Sequence, residues 1–404
     1  MPHLSQRASF IPASPIRKLA PYAEAAKAAG KHIYHLNIGQ PDLETPKTYW
    51  EAIRQGESKV LAYGSSAGEK PLRLAISDYY KRIGIEMPAD HILITTGASE
   101  ALNFIFSVCL DPGDQIIVPE PFYANYHSYA AFMYTQVQPI GTDIDNHFAL
   151  PPVEAFEAAI QPRTKAIMIC NPNNPTGVMY GKEELEGLLA LAKKYGLYLI
   201  ADEVYREFSY ADFPHHSCLQ LEGGEEHVIV IDSISKRFSA CGARVGCLLT
   251  HNQEILDAVL RLAQSRLCPP TLGQIGAEAL YRLPVSYFEE VSAEYLKRRN
   301  TLVSLLRDIP GVMVPEVNGA FYAMVKLPVE NSEDFCRWML EEFSYENSTV
   351  MMAPGSGFYI NPRKGKNEVR IAYVLKEEDL KKAIKCLAEG LRAYESRNKA
   401  HIPA

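Results

Sequence analysis

The chain predicts an α/β fold, a mostly parallel sheet covered by helices on both faces, followed by a smaller α+β region. Three observations predict it. Between about residues 90 and 250, short apolar runs alternate with helix-like stretches. These runs are apolar at consecutive rather than alternate positions, as strands buried on both faces require. After about residue 255 the pattern turns mostly helical, with strand-like runs only near residues 320 and 370.

The elements follow in order. His91 to Thr95, Gln115 to Val118, Ala166 to Cys170, Leu197 to Ala201, Val228 to Ile231 and Gly246 to Leu249 are the short apolar runs, each of strand length. Lys182 to Lys194 has helical periodicity, with Glu183, Glu184 and Glu186 early and Lys193 and Lys194 late, the order the helix dipole favours. Gln253 to Arg266, Leu272 to Tyr281 and a charged stretch through Arg307 read as helices. Gly319 to Val325 and Val369 to Tyr373 read as strands flanking helices at 333–344 and 377–394, with tails at 1–12 and 396–404.

A length of 404 residues with 47% apolar side chains can fill two domain cores. The net charge of −7 has both signs interspersed and no basic block, so neither nucleic acid nor an anionic membrane is an expected partner. Met1 to Arg7 lacks the apolar core of a signal peptide, and no apolar run approaches the roughly 18 residues of a membrane span; a soluble, cytoplasmic protein is expected. The eight cysteines show no paired short spacing, and Cys109, Cys170 and Cys247 lie inside apolar segments. Neither a metal site nor a disulfide framework is expected.

Open sheets of this kind bind ligands at the carboxyl ends of their strands. The first run is followed by Thr96-Gly97-Ala98-Ser99-Glu100, a bend opening a helix whose free N–H groups suit a phosphate, although the same residues make an ordinary cap. The next leads to Tyr123, which can stack on a planar ring or simply pack. The third enters Asn171-Pro172-Asn173-Asn174-Pro175-Thr176-Gly177, where prolines fix the backbone and asparagines leave amides for a cleft. Asp202 and Tyr205 follow the fourth; a carboxylate there needs a cationic or hydrogen-bonding partner, or serves as a cap.

The fifth run delivers Lys236, crowded by Ser233 and Ser235, with Arg244 eight positions later offering a fork for phosphate. Such an amine is poorly solvated and well placed to attack a carbonyl; the alternative is a solvated loop lysine. A phosphorylated pyridine aldehyde would use every one of these groups. Asp202 would keep its ring nitrogen protonated and Lys236 would carry its aldehyde as an imine.

On these motifs, and from Asn37-Ile38-Gly39-Gln40-Pro41-Asp42 to Val369-Arg370-Ile371-Ala372, the chain resembles the pyridoxal-phosphate-dependent class I aminotransferases of fold type I, the aspartate aminotransferase family. The resemblance implies a three-layer αβα large domain at 51–295 and a small α+β domain at 296–404 joined by an N-terminal segment at 1–50. It makes Lys236 the Schiff-base lysine and proton carrier, pairs Asp202 with the ring nitrogen, and places Asn174 and Tyr205 on the 3-oxygen and Tyr123 on the ring. Ala98, Ser99, Ser233, Ser235 and Arg244 would hold the phosphate of pyridoxal 5'-phosphate. Tyr63 would reach the phosphate of a neighbouring subunit, implying a homodimer with shared active sites. Arg370 would fork onto the substrate α-carboxylate with the Gly39 backbone approaching the same group, Asn174 would also bind substrate, and Ile16 and Arg17 fall in a segment that lines the substrate pocket. The implied reaction moves the α-amino group of an L-amino acid to a 2-oxo acid, with glutamate as a common donor.

Two family devices for reading an acidic side chain are not matched. The turn Gly97-Ala98-Ser99-Glu100 has no lysine, and Arg266 does not align with the arginine that another branch supplies from the partner subunit. Arg17, in the N-terminal segment that lines substrate pockets in the family, is a candidate reader, with plain solvent exposure as the favoured alternative. A carbon–sulfur β-lyase would use the same lysine, acid and arginine, and a non-catalytic cofactor-binding regulator is a further alternative.

Overall fold

The computed structural model describes residues 2–5, 8–9, 11–12, 14–56 and 59–400. Of the expected tails, residues 1, 6, 7, 10 and 401–404 lie outside the described residues, whereas 396–400 continue the helix Glu377–Ala400. The strands in chain order are β1 (His32–His35), β2 (Ile92–Thr95), β3 (Gln115–Glu120), β4 (Gln136–Gly141), β5 (Thr164–Cys170), β6 (Tyr198–Asp202), β7 (Val228–Ser233), β8 (Gly246–Leu249), β9 (Tyr322–Lys326), β10 (Ser348–Met351), β11 (Ala353–Pro354) and β12 (Glu368–Ala372).

Seven of them form one sheet in the order β2-β8-β7-β6-β5-β3-β4. Strands β4, β3, β5, β6 and β7 run parallel, while β8 is antiparallel to both neighbours, β7 and β2. That one reversal sets the amino end of β8, and Arg244 just before it, at the edge where the other strands present their carboxyl ends. All six expected strands are present. Strand β4 was not legible: at the sheet edge it is only partly buried and carries Pro139, which an edge strand tolerates and an apolar-run reading rejects.

Consecutive residues of each central strand enter opposite cores. On β7, Val230 packs in one cluster and Ile229 and Ile231 in the other, which is why the sequence runs are apolar without alternation. Each such side chain, removed from water on both faces of the sheet, contributes roughly 1.5–3 kcal/mol. A third core joins the helices Ala20–Ala28, Val285–Arg307, Ser332–Glu341 and Glu377–Ala400 to β9, β10 and β12. The 23-residue helix Val285–Arg307 passes between cores: Phe288 belongs to the sheet side, and Val291, Tyr295 and Leu302 to the third core. The expected divisions after residues 50 and 295 thus fall inside the helices Lys47–Arg54 and Val285–Arg307.

Beneath the Lys236 turn lies a buried ionic network. Arg237 and Asp232, both wholly buried, pair directly; the Tyr80 hydroxyl donates to Asp232 Oδ2 at 2.9 Å, and Arg206 bridges Glu203 at 2.9 Å and Tyr80 at 2.7 Å. The Arg237 guanidinium lies 5.0 Å above the Tyr79 ring. Removing one partner strands the other charge in a dry interior, so Arg237→Ala is expected to lower unfolding stability by about 3–5 kcal/mol. Urea unfolding checks this, and a wild-type midpoint would show that the network relaxes freely.

Candidate active site

At the carboxyl edge of the sheet a cavity of about 370 Å³ opens between the large sheet and the segment around β12. Gly97, which opens the helix Gly97–Cys109, has φ 72°, a conformation glycine adopts freely. A Cβ there would strike the Arg244 guanidinium, and a Cβ at Gly246 would strike the Gly97 and Ala98 backbone. The two glycines therefore let the start of β8 close on the turn. Arg244, itself at φ 54°, donates from Nη1 to the Cys241 carbonyl at 3.0 Å and lies beside Ala98 and Ser99 at the helix amino end. Ser233 and Ser235, whose hydroxyls are 2.8 Å apart, complete this end of the cavity. Free N–H groups, hydroxyls and a guanidinium converge as a phosphate requires.

Asp202 ends β6 and is 4% exposed. Its Oδ2 accepts from the Tyr126 hydroxyl at 2.7 Å, and the Val204 N–H lies 3.4 Å from Oδ1. Burial pushes its carboxyl up to about 6, against the pull of those hydrogen bonds. No described cationic side chain is within ion-pair distance, so the site is suited to a cationic ring nitrogen. Tyr126 was not anticipated. It lies on the helix Asn125–Phe132, three residues after Tyr123, and contacts that ring edge-on at 5.4 Å.

The opposite end of the cavity is built on Arg370, from β12 and 1% exposed. Its Nη1 donates to Asn174 Oδ1 at 2.9 Å and its Nη2 to the Asn37 carbonyl at 2.5 Å, while Nε has no partner among the described residues. The guanidinium lies 4.5 Å above the Tyr322 ring, and burial holds it below its usual basicity. Asn174 Nδ2 donates to the Tyr205 hydroxyl at 3.3 Å, which is 3.0 Å from that of Tyr322. Tyr322 was also missed, because in sequence it is one more apolar strand residue. A Cβ at Gly39 would overlap its ring, so only glycine fits there.

Lys236 extends into the cavity with Nζ 2.8 Å from the Gly39 carbonyl and 3.9 Å from Cys241 Sγ. Tyr123, Ile16 and Arg17 also line it. One predicted residue stands apart: Tyr63 is 81% exposed and lies outside this cavity. Arg266 packs within the chain, 3.3 Å from Glu100 and donating to the Ser66 carbonyl at 3.1 Å.

The raised Asp202 pKa fixes a sign. Its folded value, about 6, exceeds the 3.8 of a free aspartate, so folding favours the neutral acid. The contribution is fully present below pH 4 and lost as pH rises through 6. In cofactor-free protein, Asp202→Asn is therefore expected to gain on the order of 2 kcal/mol at pH 8 and little at pH 4. Denaturant titrations at both pH values test it, and an equal effect at the two would refute the assignment.

Residues 31–387 match the family model for aminotransferase class I and II. The aspartate aminotransferase of Pyrococcus horikoshii is 31% identical over 96% of this chain and 97% of its own. That of Thermotoga maritima is 34% identical over 88% of this chain and 92% of its own. Among solved structures, the alanine aminotransferase from Pyrococcus furiosus superposes with a TM-score of 0.87 at 31% identity, covering 97% of this chain and 100% of that one. The Thermus thermophilus aspartate aminotransferase with maleate gives 0.86 at 29% identity, covering 96% and 100%. With its site residues converging on one cavity and the family pattern spanning nearly its whole length, this chain belongs to the class I and II aminotransferases and has their fold type I architecture.

Proposed function

We propose that this protein is a pyridoxal-phosphate-dependent transaminase that moves the α-amino group of an L-amino acid to a 2-oxo acid, with glutamate and 2-oxoglutarate as one pair. The observation that carries the reading is the convergence, on one cavity, of a lysine amine, a buried carboxylate without a cation and a buried arginine with an unpartnered Nε. When bound, the cofactor supplies an aldehyde for the amino group and a ring that accepts the electrons released at the substrate Cα.

The chain's own residues do the rest. Ala98, Ser99, Ser233, Ser235 and Arg244 would hold the phosphate end. Asp202 would hold the ring nitrogen in its charged form, and the Tyr126 hydroxyl favours the ionised carboxylate that this requires. Asn174 and Tyr205 would hydrogen-bond the 3-oxygen, and Tyr123 would pack on the ring. Arg370, backed by Asn174 and approached by Gly39, grips the α-carboxylate and so fixes which Cα bond stands perpendicular to the ring. Lys236 Nζ, held toward the Gly39 carbonyl, would take the proton from Cα as base and deliver it, as acid, to the carbon that carried the cofactor aldehyde.

Tyr63 and its neighbours Val60 and Leu61, 72% and 63% exposed, support a homodimer in which Tyr63 serves the partner's phosphate site. Residues 1–50 are proposed to join the smaller domain, since Ile33 and Leu36 pack in the third core. Among the described residues no helix is long and apolar enough to cross a membrane, in keeping with the proposed cytoplasmic location.

Amino donors paired with 2-oxoglutarate, oxaloacetate and aromatic 2-oxo acids test the reaction; release of pyruvate and ammonia from cystathionine without oxo-acid dependence would identify a lyase instead. Lys236→Ala is expected to abolish turnover together with the borohydride-reducible adduct, and survival of that adduct would displace Lys236 from its role. Arg370→Ala should lower kcat/KM for every α-amino acid alike, by about 1.5–3 kcal/mol for loss of a charged contact.

A further inference from the structure

Six of the eight cysteines are buried, and of the two half-buried ones, Cys241 and Cys268, only Cys241 lines the cavity that holds Lys236. Its neighbour there is an amine: Lys236 Nζ lies 3.9 Å from Cys241 Sγ. Imine formation and proton transfer account for the lysine, but nothing in the proposed reaction uses the sulfur.

The chain folds back to make this pair. The helical turn Ile234–Arg237 and the turn Cys241–Ala243 are joined through Ser239 at φ 50°, a left-handed position that redirects the backbone. The folded-back segment is then fixed along its length. The Ser239 carbonyl accepts from Thr45 Oγ1 at 2.7 Å, the Cys241 carbonyl accepts from Arg244 Nη1 at 3.0 Å, and the Cys241 thiol donates to the Ser235 carbonyl at 3.1 Å. With its hydrogen committed to that carbonyl, the sulfur keeps its lone pairs for the amine and the cavity. A serine hydroxyl could make the same hydrogen bond, so what cysteine adds here is sulfur chemistry.

We propose that Cys241 is an oxidative modification site paired with Lys236: peroxide links the thiol sulfur to the lysine nitrogen as a sulfenamide and so withdraws the amine from use. In the first step hydrogen peroxide transfers a hydroxyl to sulfur; the O–O bond breaks, the thiol becomes a sulfenic acid, and water leaves. In the second, the Lys236 amine attacks that sulfur, the N–S bond forms, the S–O bond breaks, and the hydroxyl departs with an amine proton as a further water. Sulfur is oxidised and the peroxide is reduced. Nζ ends a flexible four-carbon stem, which closes the remaining gap by bond rotation. An excess of a small thiol reverses the link, returning thiol and amine while the reductant becomes its disulfide. The effect on turnover rests on the transaminase reading above, whereas the link itself needs only the two side chains.

The test exposes wild type, Cys241→Ser, Cys268→Ser and Lys236→Ala to hydrogen peroxide, with cofactor bound and after its removal. Mass spectrometry reads the link as two tryptic peptides joined across Arg237 and lighter by two hydrogen atoms than their sum. Wild type and Cys268→Ser are expected to show it, to lose turnover in proportion to the linked fraction, and to regain turnover with dithiothreitol. Cys241→Ser should keep the rate of its own untreated sample, and Lys236→Ala should stop at a sulfenic acid on Cys241 that dimedone traps. In cofactor-bound wild type, prior glutamate frees the lysine amine and should speed linking. Absence of the link from cofactor-free wild type, or an equal loss of turnover in Cys241→Ser, would overturn the proposal. If wild type transfers no amino group at all, transamination fails, and the link in cofactor-free protein still decides the role of Cys241.

Discussion

The register of β5, β6 and β7 is the constraint on which the site depends. Cys170 lies opposite Asp202, and Asp202 opposite Ile231, so the three strands leave the sheet nearly level. The Asn171–Gly177 loop, the Asp202 carboxylate and the Lys236 turn are thereby delivered to one edge, with Asp202 in the middle. A one-residue slip of β6 would turn Asp202 to the opposite face of the sheet and place an apolar side chain at the site. The apolar residues packed on both faces resist that slip, so the position of these groups is a consequence of core burial.

Electrostatics sharpen what the sheet positions. Asp202 is desolvated, and its hydrogen bond from Tyr126 opposes the resulting rise in pKa only in part. Such a carboxylate gains most from a cation placed directly on it, which is what a protonated ring nitrogen provides. Arg237 and Asp232 pair beneath the lysine turn and neutralise each other, so this pair supports the turn without adding net charge of its own. On the opposite wall Arg370 ties β12 to Asn174 of the sheet loop and to Asn37 of the N-terminal part, making one guanidinium the meeting point of three distant stretches of chain.

Much of this was legible before folding. Unbroken apolar runs exposed the doubly covered sheet, and the residues that follow them marked the ligand edge: Ala98, Ser99, Asn174, Asp202, Tyr205 and Lys236 all line the cavity. Edge strand β4 escaped because its partial burial and Pro139 break the apolar signal. Tyr126, Tyr322 and Asn37 escaped for another reason. Their sequence contexts are those of an ordinary helix, strand and loop, and only long-range neighbours give their polar atoms a task.

The sequence by itself therefore determined the six apolar strands of the main sheet, that both their faces are buried, and which side chains emerge at their ends, because these follow from local pattern. Tertiary structure alone decided that β8 runs backward to bring Arg244 to the same edge, that Arg370 meets Asn174 and Asn37 across 196 and 333 residues, and that Arg266 turns inward while Arg17 faces the cavity. Pairing direction and long-range contact depend on how whole layers close on one another, and no window of sequence contains both partners.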